Sequence, residues 1–414
     1  MRASPVPYCR FRSTAPSWFP HRMKSSIFFL LFVCLTLARP AAAATIPAVV
    51  PAASAEAVAT TAPELAARSW LLLDTGSNQI LASLKPDERA EPASLTKLMT
   101  AYVVFGALRA KTIRPDQVVP VSEKAWRMVK SGSAMFIEPR KPVTVDELIH
   151  GVIIQSGNDA CIALAELVAG TEANFVVLMN REALRLGLTN THFQNATGLT
   201  EPGHYSSPRD MAKIAAAIIR DFPEYFPIYS QKQFTYNRIT QPNRNRLLWQ
   251  DPTVDGMKTG HTDAAGFCLV ATAHRGARRL ISVVMGTASD SVRAQESQKL
   301  LNYGFDAFDS VRFFASGQPM RSLPVWKGKT SSVNVGFTQD LTVTVPRGHA
   351  DAVKLQFEAR QPLKAPLAFG SPVGTLRMTL DGQTLGEYPV VALEDVALAN
   401  WFSRTWDAIR LWFK

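Results

Sequence analysis

Three short stretches of this chain hold residue types that can carry nucleophilic chemistry. Ser94-Leu95-Thr96-Lys97 follows Pro92 and opens an almost wholly apolar helical run, Leu98 through Leu108. Helical spacing sets Ser94 and Lys97 one turn apart on one face. Apolar surroundings lower an ammonium pKa, so Lys97 can take the Ser94 proton as a general base. Ser156-Gly157-Asn158 follows Val152-Ile153-Ile154 and precedes another helical run. A hydroxyl and a carboxamide two apart, with a glycine permitting a tight bend, can relay a proton and hold a substrate carbonyl. Lys258-Thr259-Gly260-His261 stands just before a strand pair. Gly260 lets a substrate backbone approach closely, Thr259 offers a hydroxyl, and Lys258 offers a charge that would hold a carboxylate and further depress Lys97. Alone, each stretch is an ordinary local feature: a surface Ser–Lys pair, a turn, a strand-edge turn.

The elements that must position these residues follow from periodicity. Leu71-Leu72-Leu73-Asp74 and Gln79-Ile80-Leu81-Ala82 read as strands around a Gly76-Ser77-Asn78 turn. Helical patterns cover 94–109, 145–169, 173–187 and 208–220, strands 266–273 and 279–286, and a helix 291–308. That is an α+β domain over 67–310. Residues 311–393 alternate with period two, at 341–345 and 353–357, and Asp381-Gly382 reads as a hairpin turn, so this part is a small β-rich domain. Residues 394–414 read as an amphipathic helix. Leu398, Trp401, Phe402, Trp406, Ile409, Trp412 and Phe413 share one arc, and only Val396 and Leu411 fall among the polar positions.

Composition narrows the functional classes. With 414 residues, 47% apolar and 19% charged, the chain has ample material for folded cores. The net charge of +11 is concentrated at the start: residues 1–44 hold six basic residues and no acid, and +5 remains without them. No later basic run is interleaved with aromatics, which argues against nucleic acid as a partner. The apolar run 27–37, behind Arg22 and Lys24 and ahead of Ala41–Ala44, has the parts of a secretory signal, with Met23 as a second candidate start. We therefore expect 1–44 to be a signal peptide and 45–66, rich in Ala, Pro and Thr, a flexible lead-in. Cys161 and Cys268 are then the cysteines of the exported chain, and an oxidising compartment would allow them to pair. The scattered His residues offer no metal-ligand spacing and no phosphate loop is present, so neither a metal nor a cofactor is expected.

Taken in order, Ser94-x-x-Lys97, Ser156-x-Asn158 and Lys258-Thr259-Gly260 resemble the three motifs of the penicillin-binding proteins and serine β-lactamases. The stretches Gln155–Cys161, Val254–Thr262 and Glu296–Leu301 look most like the low-molecular-mass D-alanyl-D-alanine carboxypeptidases. The resemblance spans roughly 65–414 and implies a penicillin-binding-protein/β-lactamase-like transpeptidase domain followed by the β-rich domain. It implies an exported hydrolase that removes the terminal D-alanine from peptidoglycan pentapeptides and is inhibited covalently by β-lactams. Ser94 would attack the D-alanyl carbonyl, Lys97 would be its base, and Ser156 would pass a proton to the departing D-alanine. Asn158 would bind the substrate amide, and the Ser94 and His261 N–H groups would form the oxyanion hole, at about 3–4 kcal/mol per donor. Thr259 and Arg293 match positions around the terminal carboxylate, with Arg244 as an assisting residue, structural pairing being the other reading of both arginines. The segment Trp126–Phe136 is shorter than the loop over the site in the best-known relatives.

The same site would also suit a D,D-endopeptidase or a β-lactamase, and a non-catalytic penicilloyl sensor or scaffold is the alternative of another class. A Glu-x-x-Leu-Asn segment of the kind that activates water in class A β-lactamases does not occur between 156 and 258. A sensor would bring several membrane spans, and a scaffold would have lost a motif residue. Residues 394–414 are charge-balanced, so their expected attraction to lipid is apolar, with Trp at the headgroup boundary. That gives a peripheral anchor on the periplasmic face of the inner membrane.

Overall fold

The computed structural model describes residues 61–412. The expected signal peptide, most of the lead-in, and Phe413 and Lys414 lie outside the described residues. A five-stranded antiparallel sheet forms the centre, in the spatial order Gln79–Leu84, Ser69–Asp74, Arg278–Thr287, Gly266–Arg275, Val254–Thr262. Period-two patterning sends its side chains into two cores. Leu71, Leu73, Val270 and Val283 face the helices, whereas Trp70, Leu72, Leu269 and Leu280 pack against Leu300, Leu301 and Phe305 of the helix Asp290–Ala307. The strand carrying Lys258 is an edge strand.

The helix Lys97–Arg109 runs through the middle of the helical half, with Leu98 through Phe105 buried on every side. An all-round apolar helix can be stable only there, and that placement buries Lys97. The stretch expected as one helix over 145–169 is instead broken. Val145–His150 is α-helical, Gly151–Gln155 makes a π-turn, and a new helix runs Asn158–Ala169. A π-turn of this kind commonly marks a functional site, and here it delivers Ser156 and Asn158 at the break.

Beyond Phe308 the chain is β-structure. A six-stranded sheet is built from Lys354–Ala359, Pro372–Leu380, Gln383–Ala392, Ser332–Gly336, Pro319–Trp326 and Leu363–Lys364, and Phe308–Phe314 pairs with Leu341–Pro346. Asp381 and Gly382 make the hairpin turn, both with positive φ. The β-structure is joined to the central sheet by a buried polar contact. The Asp74 carboxylate accepts from Arg278 Nε (2.8 Å) and from Thr344 Oγ1 (3.0 Å), while Gln79 exchanges two hydrogen bonds with the Thr344 backbone (2.6 and 3.2 Å). All three of Asp74, Gln79 and Thr344 are buried, so removing one partner strands the others.

The C-terminal helix is shorter than expected, Trp401–Trp412. Residues before it are extended: Val396 bridges to Leu367 and is buried in the β core, and Leu398 bridges to Gly328. Asn400 caps the helix by accepting from the Ser403 N–H (3.0 Å). This accounts for the two misplaced residues, since Val396 is not helical and Leu411 is half-buried on the same side as Asp407. Asp407 accepts from the Lys327 N–H (2.7 Å) and Arg410 lies over the Trp326 ring. The polar side thus faces the β-structure, and Trp401, Phe402, Trp406 and Trp412 are 64–86% exposed. Among the described residues no single helix is long and apolar enough to cross a membrane.

Candidate active site

Ser94 sits in a 3-10 turn, Ala93–Thr96, that runs directly into the Lys97 helix. Ala93, just before it, holds a positive φ of 47°, a strain of the sort that gathers at functional sites. Lys97 is 1% exposed, and its ammonium makes three contacts: Ser94 Oγ (2.8 Å), Asn158 Oδ1 (2.8 Å) and the Thr197 carbonyl (2.6 Å). Burial lowers its pKa to about 8, with Arg244's positive charge pushing the same way and Asp159's opposing. A neutral amine in this position keeps two N–H donors and one lone pair. With Asn158 and Thr197 taking the donors, the lone pair is left for the Ser94 hydroxyl.

Ser156 takes the left-handed conformation at the break (φ 62°), whereas Gly157, expected to make the bend, has an ordinary φ of −62°. The glycine is needed for space, because a Cβ there would lie 3.0 Å from the Met135 nitrogen. Ser156 Oγ accepts from Lys258 Nζ (2.9 Å), which also donates to the Thr259 carbonyl (3.1 Å). The structure thus forms two linked pairs, Lys97–Ser94 and Lys258–Ser156, on facing walls. Lys258, expected from its motif to supply a charge, is itself buried. Burial first, then Lys97 and Arg244, hold it well below its ordinary pKa. Two ammonium groups in one dry site disfavour each other.

Gly260 lines the cleft and also packs against the turn that carries Ser94. A Cβ there would stand 3.0 Å from the Pro92 carbonyl and 3.2 Å from the Leu95 nitrogen. What this glycine admits is the nucleophile's own turn, which the edge strand presses against. His261 is exposed beside it, its ring against Phe267 at 3.9 Å between centroids. Asn158 holds the loop across the cleft as well as Lys97: its Nδ2 donates to the Ser131 carbonyl (2.8 Å), leaving a second N–H for a substrate.

Both arginines line the cleft, and they differ in their partners. Arg293 is paired with Asp290 and donates to the Gly260 carbonyl (3.0 Å), so it braces the edge strand. Asp290 also pairs with Arg246. Arg244 donates Nε to the Gln155 carbonyl (3.3 Å), and among the described residues no carboxylate lies within ion-pair distance of it.

These residues line a cleft of about 910 Å³, which contains Ser94, Ser156, Asn158, Thr259, His261 and Arg244. Sequence reasoning missed Asp159, a fully buried residue whose carboxylate accepts from the Met135, Phe136 and Ile137 N–H groups (3.0, 2.8 and 3.1 Å) and so pins the loop over the site. It also missed Thr197, whose contribution is a backbone carbonyl and leaves no trace in side-chain type. Cys161 and Cys268 are both buried and unbridged, so the allowed pairing is not formed.

Two family models match the chain in order. One described as D-alanyl-D-alanine carboxypeptidase covers residues 56–289, and one described as penicillin-binding protein 5, C-terminal domain, covers 308–398. D-alanyl-D-alanine carboxypeptidase DacC of Escherichia coli K12 is 46% identical over 358 residues, covering 85% of this chain and 90% of that protein. DacF of Bacillus subtilis is 35% identical, covering 81% and 87%. Penicillin binding protein 5 from Haemophilus influenzae superposes with a TM-score of 0.79 at 44% identity, covering 82% of this chain and 100% of that one. With both parts of the chain matched in sequence and in fold, the chain belongs to the D-alanyl-D-alanine carboxypeptidase family of low-molecular-mass penicillin-binding proteins.

Proposed function

We propose that Ser94 is the nucleophile through which this serine-type D-Ala-D-Ala carboxypeptidase shortens peptidoglycan pentapeptide stems. The observation that carries the assignment is the buried Lys97, held by Asn158 and Thr197 with Ser94 as its third contact. Neutral Lys97 takes the Ser94 proton as Oγ attacks the carbonyl between the two D-alanines. The Ser94 and His261 N–H groups receive the oxyanion. Lys258 donates to Ser156 Oγ, which turns the Ser156 proton outward toward the nitrogen of the departing D-alanine. As Ser156 gives up its proton it takes over the one Lys97 holds, so Lys97 is neutral again when D-alanine leaves. Water then enters along the same path, gives a proton to Lys97 and hydrolyses the Ser94 ester, and Lys97 returns that proton to Ser94 Oγ. Mass spectrometry of a pentapeptide ending in D-Ala-D-Ala is expected to show loss of one alanine, and an unchanged peptide would overturn the reading.

Thr259 and Arg244 hold the terminal carboxylate. A charge-assisted hydrogen bond contributes about 1.5–3 kcal/mol, so Arg244→Ala is expected to raise KM roughly 10–100-fold for the free acid. A substrate amidated at its C-terminus should be nearly indifferent to the change. Arg293→Ala acts through the edge strand and should lower kcat for both substrates.

β-Lactams acylate the same serine and are released slowly. Their leaving nitrogen stays tethered after ring opening and blocks the path of water. Among the described residues lining the cleft the acid is Asp290, which two arginines already engage.

The exposed apolar face of Trp401–Trp412 supports a peripheral anchor on the periplasmic face of the inner membrane. Burying such side chains contributes about 1.5–3 kcal/mol each. Truncation before Trp401 is expected to move the protein from the membrane pellet to the soluble fraction with peptide hydrolysis intact. A truncated protein that still pellets removes the anchor.

A further inference from the structure

The Thr197 carbonyl that receives Lys97 belongs to a loop with its own internal order. Asn195 Oδ1 accepts from the Thr197 N–H (3.2 Å), the Thr197 hydroxyl (3.1 Å) and the Gly198 N–H (2.7 Å). Its Nδ2 donates to the Leu199 carbonyl (3.0 Å) and to Glu201 (3.1 Å). Two side chains fasten the loop: Thr100 of the Lys97 helix, whose hydroxyl donates to the Ala196 carbonyl (2.7 Å), and His204, which reaches the catalytic turn. His204 is buried, and its Nδ1 accepts from the Gln194 N–H (3.3 Å). A backbone N–H can only donate, so the ring hydrogen is on Nε2, where it meets Thr96 Oγ1 at 2.8 Å. Thr96 directly precedes Lys97.

We propose that His204, as the neutral Nε2–H tautomer, is a positioning residue for the base: by tying the 194–204 loop to Thr96 it sets the Thr197 carbonyl against Lys97 Nζ. The inference rests on Lys97 acting as the base for Ser94. An amine that loses its carbonyl partner can turn an N–H toward Ser94 and point its lone pair elsewhere, so proton transfer suffers while substrate contacts stay in place. Burial supports the neutral form, pulling His204 down to about 4 although Glu201 and Glu91 oppose the shift and His192 reinforces it.

The test is stopped-flow acylation of the full chain by benzylpenicillin, which separates the binding constant Kd from the acylation rate constant k2. His204→Ala is expected to lower k2 roughly 10–100-fold, counted per active site by the labelling endpoint, with Kd within about twofold. His204→Gln keeps one donor and one acceptor and should restore most of k2. Thr96→Val removes the hydroxyl from the other end at nearly constant volume and should reproduce the loss. The double variant should be no worse than either single one, because both break the same tie. A normal k2 per labelled site in His204→Ala and Thr96→Val, or a change confined to Kd, overturns the proposal. Ser94→Ala run in parallel separates the two levels. Labelling that persists there defeats the assignment of the nucleophile, whereas a dead Ser94→Ala beside normal His204 variants defeats only the positioning role.

Discussion

Replacing Ser94 with alanine is expected to abolish both D-alanine release and covalent labelling by penicillin. The expectation follows from geometry more than from motif. Ser94 Oγ is the hydroxyl 2.8 Å from the nitrogen of a buried lysine whose other contacts are fixed. Ser156, another hydroxyl lining the cleft, is 2.9 Å from Lys258 instead and accepts from it, which suits it to pass its own proton on. Loss of Ser94 leaves the rest of the cleft intact, so the variant should still bind the peptide reversibly. Mass spectrometry of the protein after incubation with penicillin is the direct check. A retained adduct would move the nucleophile elsewhere, with Ser156 as the next candidate.

The second large effect is on pH dependence. Lys97 acts as a base only when neutral, and burial places its pKa at about 8. Above that pH most molecules are competent. Below it, the competent fraction falls about tenfold for each unit of pH. The acylation rate constant should therefore rise from acid toward pH 8 and then level. Lys97→Ala is expected to lower acylation by about 10²–10⁴-fold, the usual weight of a general base, and to flatten that limb. A limb that survives unchanged in Lys97→Ala would mean that another group, with Lys258 foremost, is the one titrating.

The order Ser94, Ser156, Lys258 was readable because each motif places its chemistry in side chains a few residues apart. The helix around Lys97 was readable for the same reason, since an apolar run with one lysine can only bury it. Other features depended on groups brought together from far along the chain. Asp74 and Thr344 are 270 positions apart, and nothing local in either announces the contact. Arg244 and Arg293 could be told apart only when Asp290 was seen to engage the second. The bend at 156–157 was assigned to glycine by propensity, yet the preceding π-turn forces Ser156 into the left-handed region and leaves Gly157 to make room. The last helix was overextended because a wheel scores periodicity alone, and the bridge from Val396 to Leu367 overrides it.

The contact among Asp74, Gln79, Arg278 and Thr344 has a mechanical consequence. It is buried and directional, and it holds the β-structure to the central sheet through several bonds instead of through a single pivot. The β-structure in turn grips the terminal helix through Lys327 and Asp407. Central sheet and terminal helix are therefore linked through a series of directional contacts. On the proposed anchoring of that helix to lipid, these contacts would restrict the height of Ser94 above the surface. Such an enzyme would trim stems in a layer of limited depth, and stems nearer to or farther from the bilayer would have to move into that layer before they could be cut.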